Sequence, residues 1–122
     1  MRALWIALAG AAGALLRYGI GLAAGPVLWP WPTLAINVSG SFFLGVVLTL
    51  APARHWPLDV SAPIAVGFLG AYTTFSTFSW ETSVLGRVEH RWLAAGGYVL
   101  ASVVLGVGAA WVGHLIARNL TR

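Results

Sequence analysis

From Gly70 to Ser79 the chain reads Gly-Ala-Tyr-Thr-Thr-Phe-Ser-Thr-Phe-Ser, a run of hydroxyls and two phenylalanines inside an otherwise lipid-like stretch. In hydrocarbon every hydroxyl and backbone polar group needs a protein, ion or water partner, so such a cluster marks a pathway or a site between helices. Upstream, Asn37, Ser41 and Gly45 recur four residues apart with Gly40 beside them. On a helix that spacing lines up a carboxamide and a hydroxyl, neutral donors suited to an anion that has shed its water. Read only as structure, Asn37 supplies an interhelical hydrogen bond of about 0.6 kcal/mol, and both readings stand. Tyr98, Ser102 and Gly106 repeat the spacing and add two hydroxyls to the interior. Phe75 and Phe78, three apart, project to a common side of a helical turn. They are either ordinary core aromatics or ring edges, the positive end of the aromatic quadrupole, turned toward an anion. Arg17 shares a face with Gly10, Gly13 and Gly21; it either snorkels to the headgroups or sets a fixed positive charge beside an anion path.

The elements that carry these residues follow from composition. Of 122 residues 59% are hydrophobic and only 8% charged, with a mean hydropathy of +0.84. Too little polarity is present to cover a soluble globule, so the chain is an integral membrane protein. The basic residues are arginines placed mainly at span ends, which reads as membrane-flank anchoring rather than nucleic-acid binding. The absence of cysteine excludes disulfides and thiolate metal sites.

Four spans of about the 20 residues that a bilayer requires are drawn near residues 3–24, 33–51, 60–85 and 92–116, in a single membrane domain over residues 1–122. The first ends in a segment with Pro26, Pro30 and Pro32 and two tryptophans suited to the interface. The third starts with Pro63 in its first turn and contains Glu81, the one acid inside a span. Its hydroxyls, from Thr73 to Ser83, follow Gly67 and Gly70, a pattern that allows the helix to unwind where protein or water surrounds the break. The N-terminus has the layout of a secretory signal, with Arg2, an apolar core and Ala12-Gly13-Ala14. The motif content around Gly13 and the span that follows favour a retained helix.

Alternating helices put Arg2, Arg54, Arg118 and Arg122 on one side against Arg87 and Arg91 on the other. So weak a bias permits insertion in both orientations and an antiparallel dimer, while charge counting alone leaves a single orientation equally open. No paired carboxylates, histidine cluster, nucleophile with a base or glycine-rich phosphate loop is present, which argues against an enzyme and against nucleotide binding.

Three motifs in order, Gly10-x-x-Gly13-Ala14-x-x-Arg17-Tyr18, Thr33-Leu34-x-x-Asn37-x-x-Gly40-Ser41-Phe42-x-x-Gly45 and Gly67-Phe68-x-Gly70-x-x-Thr73-Thr74-Phe75-Ser76-Thr77-Phe78-Ser79-x-Glu81, resemble the Fluc (CrcB) fluoride channels. The resemblance covers nearly the whole chain. It implies a dual-topology homodimer in the cell membrane, with two antiparallel pores and a structural sodium ion, that exports toxic fluoride from the cytoplasm. Carried over by position, Phe75 and Phe78 would line the pores with Asn37 near them, and Tyr98 and Ser102 would lie on a hydroxyl track. Gly70 and Thr73 would give backbone carbonyls to sodium at the break in the third helix. Beyond Ser102 the fourth span has no Ser or Thr before Thr121, so the track is not extended there.

The donors fit that expectation. Fluoride is small and tightly hydrated, so the hydroxyls of the third span, Thr74 and Ser76 among them, with Asn37, Ser41, Tyr98 and Ser102, replace its water. Modest neutral sites let it leave again. The runner-up is a small multidrug-resistance-like exporter coupling proton entry to efflux of cationic drugs. It needs a membrane-embedded carboxylate, for which Glu81 is the single candidate.

Overall fold

A computed structural model describes residues 1–122. Helices α1 (Arg2–Ala24) and α2 (Trp31–Ala53) are each 23 residues, about 34 Å at 1.5 Å per residue and enough to cross a bilayer. The third crossing, Leu58–Val88, is interrupted. It comprises α3 (Leu58–Ala62), a π-helical stretch Pro63–Leu69, one turn α4 (Gly70–Tyr72), α5 (Phe75–Ser83) and a second π-helical stretch Val84–Val88. Helix α6 (Trp92–Asn119) is the fourth crossing. The protein is therefore an all-helical, multi-pass membrane protein whose third crossing is broken.

Chemistry sets the ends. Pro32 sits in the first turn of α2, where its missing N–H costs nothing. The second span, drawn to residue 51, runs on through Pro52 in its last turn and closes at Ala53. Pro63 opens the wide-turned stretch, in which the Gly70 N–H reaches back five residues to the Ala65 carbonyl. The break falls at Thr73 and Thr74, both extended (φ −78°, ψ 157° and φ −150°, ψ 119°). It is narrower than the hydroxyl run, because α5 resumes at Phe75 with the Thr74 hydroxyl capping the Thr77 N–H at 3.2 Å.

Two close pairings hold the bundle. On α2 and α6, a Cβ at Gly45 would collide with the Ala110 carbonyl, and one at Gly113 with that of Phe42. The first and third crossings meet in the same manner, with Gly13 against the Phe68 carbonyl and Gly67 against Ile6 and Ala9. At one end of the bundle Arg2 pairs with Asp59 at 2.6 Å and Arg54 donates to the Leu120 carbonyl at 2.9 Å, so both termini lie beside the second loop, as alternating spans require. Only 15 of the 122 residues are buried, which leaves most apolar side chains to lipid or to another chain.

Candidate functional site at the helix break

Asn37 holds the break from both sides. Its Nδ2 donates to the Thr74 carbonyl at 3.0 Å, and its Oδ1 accepts the Thr74 N–H at 2.8 Å. A continuous helix would send that N–H to the Gly70 carbonyl. Likewise the Thr77 N–H, which would close on the Thr73 carbonyl, goes to Thr74 Oγ1. The carbonyls of Gly70 and Thr73 thus lose their helical donors, as do those of Ala71 and Tyr72, which the Phe75 and Ser76 N–H groups at the start of α5 no longer reach. Between them the Ala71 carbonyl accepts the Arg17 Nε–H at 3.2 Å, which brings Arg17 to the break and not to the headgroups.

Asn37, Ser41, Thr73, Thr74 and Phe75 surround an open cleft of about 220 Å³, with Leu44 at its edge. Asn37 spends one amide hydrogen on Thr74 and keeps the other. On the far side of Thr74 lies a second cavity of about 430 Å³, whose polar lining includes Arg17, Thr33, Thr77 and Glu81. Thr74 lines both, donates to Thr77 Oγ1 at 3.0 Å and lies 3.3 Å from the Ser76 hydroxyl.

Of the phenylalanines, Phe75 lines the cleft and Phe78 packs on the fourth crossing at Tyr98. Ring centroids of Phe75 and Phe78 are 5.6 Å apart, so the pair shares a side as its spacing predicts. Their environments differ. Phe75 is 79% exposed in the single chain, whereas Phe78 is half-buried with its centroid 5.2 Å from that of Tyr98. Tyr98 is fully buried. Its hydroxyl donates to Glu81 Oε2 at 2.7 Å, while Thr33 Oγ1 donates to Oε1 at 2.8 Å. One helical turn beyond Tyr98, the Ser102 Oγ is buried with no hydrogen-bond partner in the chain.

Of the sequence candidates, the structure gathers Asn37, Ser41, Thr74 and Phe75 at one cleft, with Ser76 beside Thr74. It joins Phe78 and Tyr98 to Glu81, and sets Gly70, Thr73 and Arg17 at the break itself. Sequence reasoning missed Thr33 as a holder of Glu81. Depth was the available signal: the second span starts at the end of the bundle where the third finishes, so its first hydroxyl lies level with Glu81. Ser39 and Tyr72, whose hydroxyls meet at 3.1 Å, were also missed.

The chain matches the family model described as "CrcB-like protein, Camphor Resistance (CrcB)" over residues 4–114. It is similar to the fluoride-specific ion channel FluC of Solibacter usitatus, 42% identical over 98% of this chain and 100% of the relative. A FluC channel of Acidobacterium capsulatum is 40% identical, with 98% of each chain covered. A longer one from Methylococcus capsulatus is 48% identical over 94% of this chain and 52% of its own length.

Proposed function

Since the chain belongs to the CrcB family, two of whose fluoride-channel members align with it end to end, we propose that it is a fluoride-specific ion channel, carrying the anion passively through the membrane at the break in its third crossing. The observation that carries this reading is the Phe75–Phe78 pair, which rises directly from the break beside a cleft of neutral donors. Fluoride entering there exchanges water for the free Asn37 amide hydrogen, the hydroxyls of Ser41 and Ser76, and the positive ring edges, while Thr74 lines the cleft with its own hydroxyl hydrogen given to Thr77. The unpartnered Ser102 hydroxyl continues the path along α6, one turn from Tyr98, whose own hydroxyl hydrogen is held by Glu81. A negative interior drives the anion outward with about 2.3 kcal/mol per charge per 100 mV.

The working unit in this reading is an antiparallel homodimer. Its support is the exposure of Phe75, a large ring standing over a polar cleft that an isolated chain leaves uncovered, together with the weak arginine bias across the spans. The carbonyls of Gly70 and Thr73, stripped of their helical donors, fit a sodium ion, as unwound backbone does in other membrane proteins. Two carbonyls from each of two copies would complete such a site, and the ion would tie the breaks of the two chains together. The proton-coupled exporter finds no support: both oxygens of Glu81 are engaged by hydroxyl donors, and the relatives bear the name of fluoride channels.

The test is ion-specific flux from liposomes holding the purified protein. Rapid fluoride efflux with potassium shunted by an ionophore, and none of chloride, is the expected result. Efflux that needs a proton gradient, or that passes chloride equally, overturns it.

A further inference from the structure

Resting on the cation reading just given, we propose that Tyr72 is a positioning residue for that site, with Ser39 as its anchor on α2. The carbonyls of Gly70 and Thr73 belong to a joint that is extended at residues 73 and 74, so their directions depend on what fixes residues 72 to 74 in space. Thr74 is fixed by Asn37. Thr73 tucks its methyl into the space left by the missing side chain of Gly40, and the Tyr72 ring borders the same space.

The Tyr72 ring lies parallel to that of Phe68, at 11° with centroids 6.1 Å apart. Packing of that kind needs no hydroxyl, and a hydroxyl placed among helices in hydrocarbon is a cost unless it is used. Here it is used with defined polarity. Ser39 Oγ donates its own hydrogen to the Ile36 carbonyl at 3.1 Å, so in the 3.1 Å contact between the two hydroxyls Tyr72 donates and Ser39 accepts. Residues 37, 39 and 40 of α2 thereby form one template for residues 72 to 74: a two-way clasp on Thr74, a directional tether on Tyr72 and a socket for Thr73. The tether fixes the turn from which the Gly70 and Thr73 carbonyls project, so losing it loosens the cation site while ring stacking and fold remain.

The experiment follows the melting of the full-length detergent-solubilised protein by tryptophan fluorescence during a sodium titration, with N-methylglucamine holding ionic strength constant. A bound cation raises the melting temperature with its concentration, so the titration midpoint reports affinity independently of fluoride flux. The expected outcome is that Tyr72→Phe and Ser39→Ala each move the midpoint to roughly three-fold higher sodium, the worth of one hydrogen bond between membrane helices. The double variant moves it no further, since both changes remove the same bond. A Tyr72→Phe protein that melts lower at every sodium concentration but keeps the wild-type midpoint overturns the role and leaves Tyr72 as packing. A wild-type protein indifferent to sodium removes the cation reading itself, and this role with it.

Discussion

The α2–α6 pair and the third crossing are built from similar apolar stock and solve opposite problems. In the pair, Gly45 and Gly113 let the backbones close on Ala110 and Phe42, and nearly all backbone hydrogen bonding stays within each helix. In the third crossing, amides leave the helical ladder for side chains: Thr74 N–H for Asn37 and Thr77 N–H for the Thr74 hydroxyl. The first arrangement confines its polarity to one end, where Thr49 meets His114 at 2.9 Å, and gives stiffness. The second concentrates polarity, which hydrocarbon tolerates only because α2 supplies the missing partners. The rigid pair is thus the template on which a discontinuous, ion-handling segment can be held open, and α2 serves both roles with different residues of one helix.

Breaking the rigid side gives the largest effect. Gly45→Leu forces a side chain into the Ala110 carbonyl, and the expected outcome is no monodisperse protein on size-exclusion chromatography. Next, Asn37→Ala strands the N–H of Thr74, at about 1–3 kcal/mol for a group left unsatisfied, and takes from its carbonyl the bond across to α2. Thermal unfolding in detergent is expected to come earlier, with fluoride flux lowered at least ten-fold. Third, Gly70→Val and Thr73→Ser separate carbonyl from side chain. Within one chain a Cβ at Gly70 meets only the Ala65 carbonyl at an ordinary 3.6 Å, so loss of dimer or of sodium response in Gly70→Val reports on a partner face. Thr73→Ser keeps the carbonyl and its flux is expected within about two-fold of wild type, a margin equivalent to one weak interhelical contact. The smallest change is Arg2→Gln. The ion pair with Asp59 is half exposed or more at both ends, and unfolding is expected to shift by less than about 0.5 kcal/mol.

Much of this was legible in the sequence because lipid imposes simple rules. Apolar run length gave four crossings in nearly their observed places, and the hydroxyl cluster after Gly67 and Gly70 pointed to a break in the third. The width of that break was not legible: whether Thr74 caps a resumed helix depends on its φ and ψ, which Asn37 sets from another span. The use of Asn37 as a clasp was equally hidden, since spacing shows which face a carboxamide occupies and not which backbone group arrives opposite it. Tyr72 reads as one more aromatic until Ser39, 33 residues away in sequence, is seen beside it. Arg17 was left open between headgroup and interior, and the position of the Ala71 carbonyl decides it.

The central claim is that the anion passes beside the break, along Phe75 and Phe78, and not through the glycine-sealed pair. Fluoride efflux from liposomes carrying Phe75→Ile or Phe78→Ile tests it most directly, with Phe42→Ile, at the α2–α6 seam, as the control. Isoleucine keeps an apolar side chain of broadly similar bulk, a swap that usually costs under about 1.5 kcal/mol in a core, but it has no positive ring edge. The account predicts that both variants elute as the wild type does on size-exclusion chromatography and lose fluoride efflux, while Phe42→Ile retains it. Wild-type efflux through both Phe75→Ile and Phe78→Ile would contradict the account.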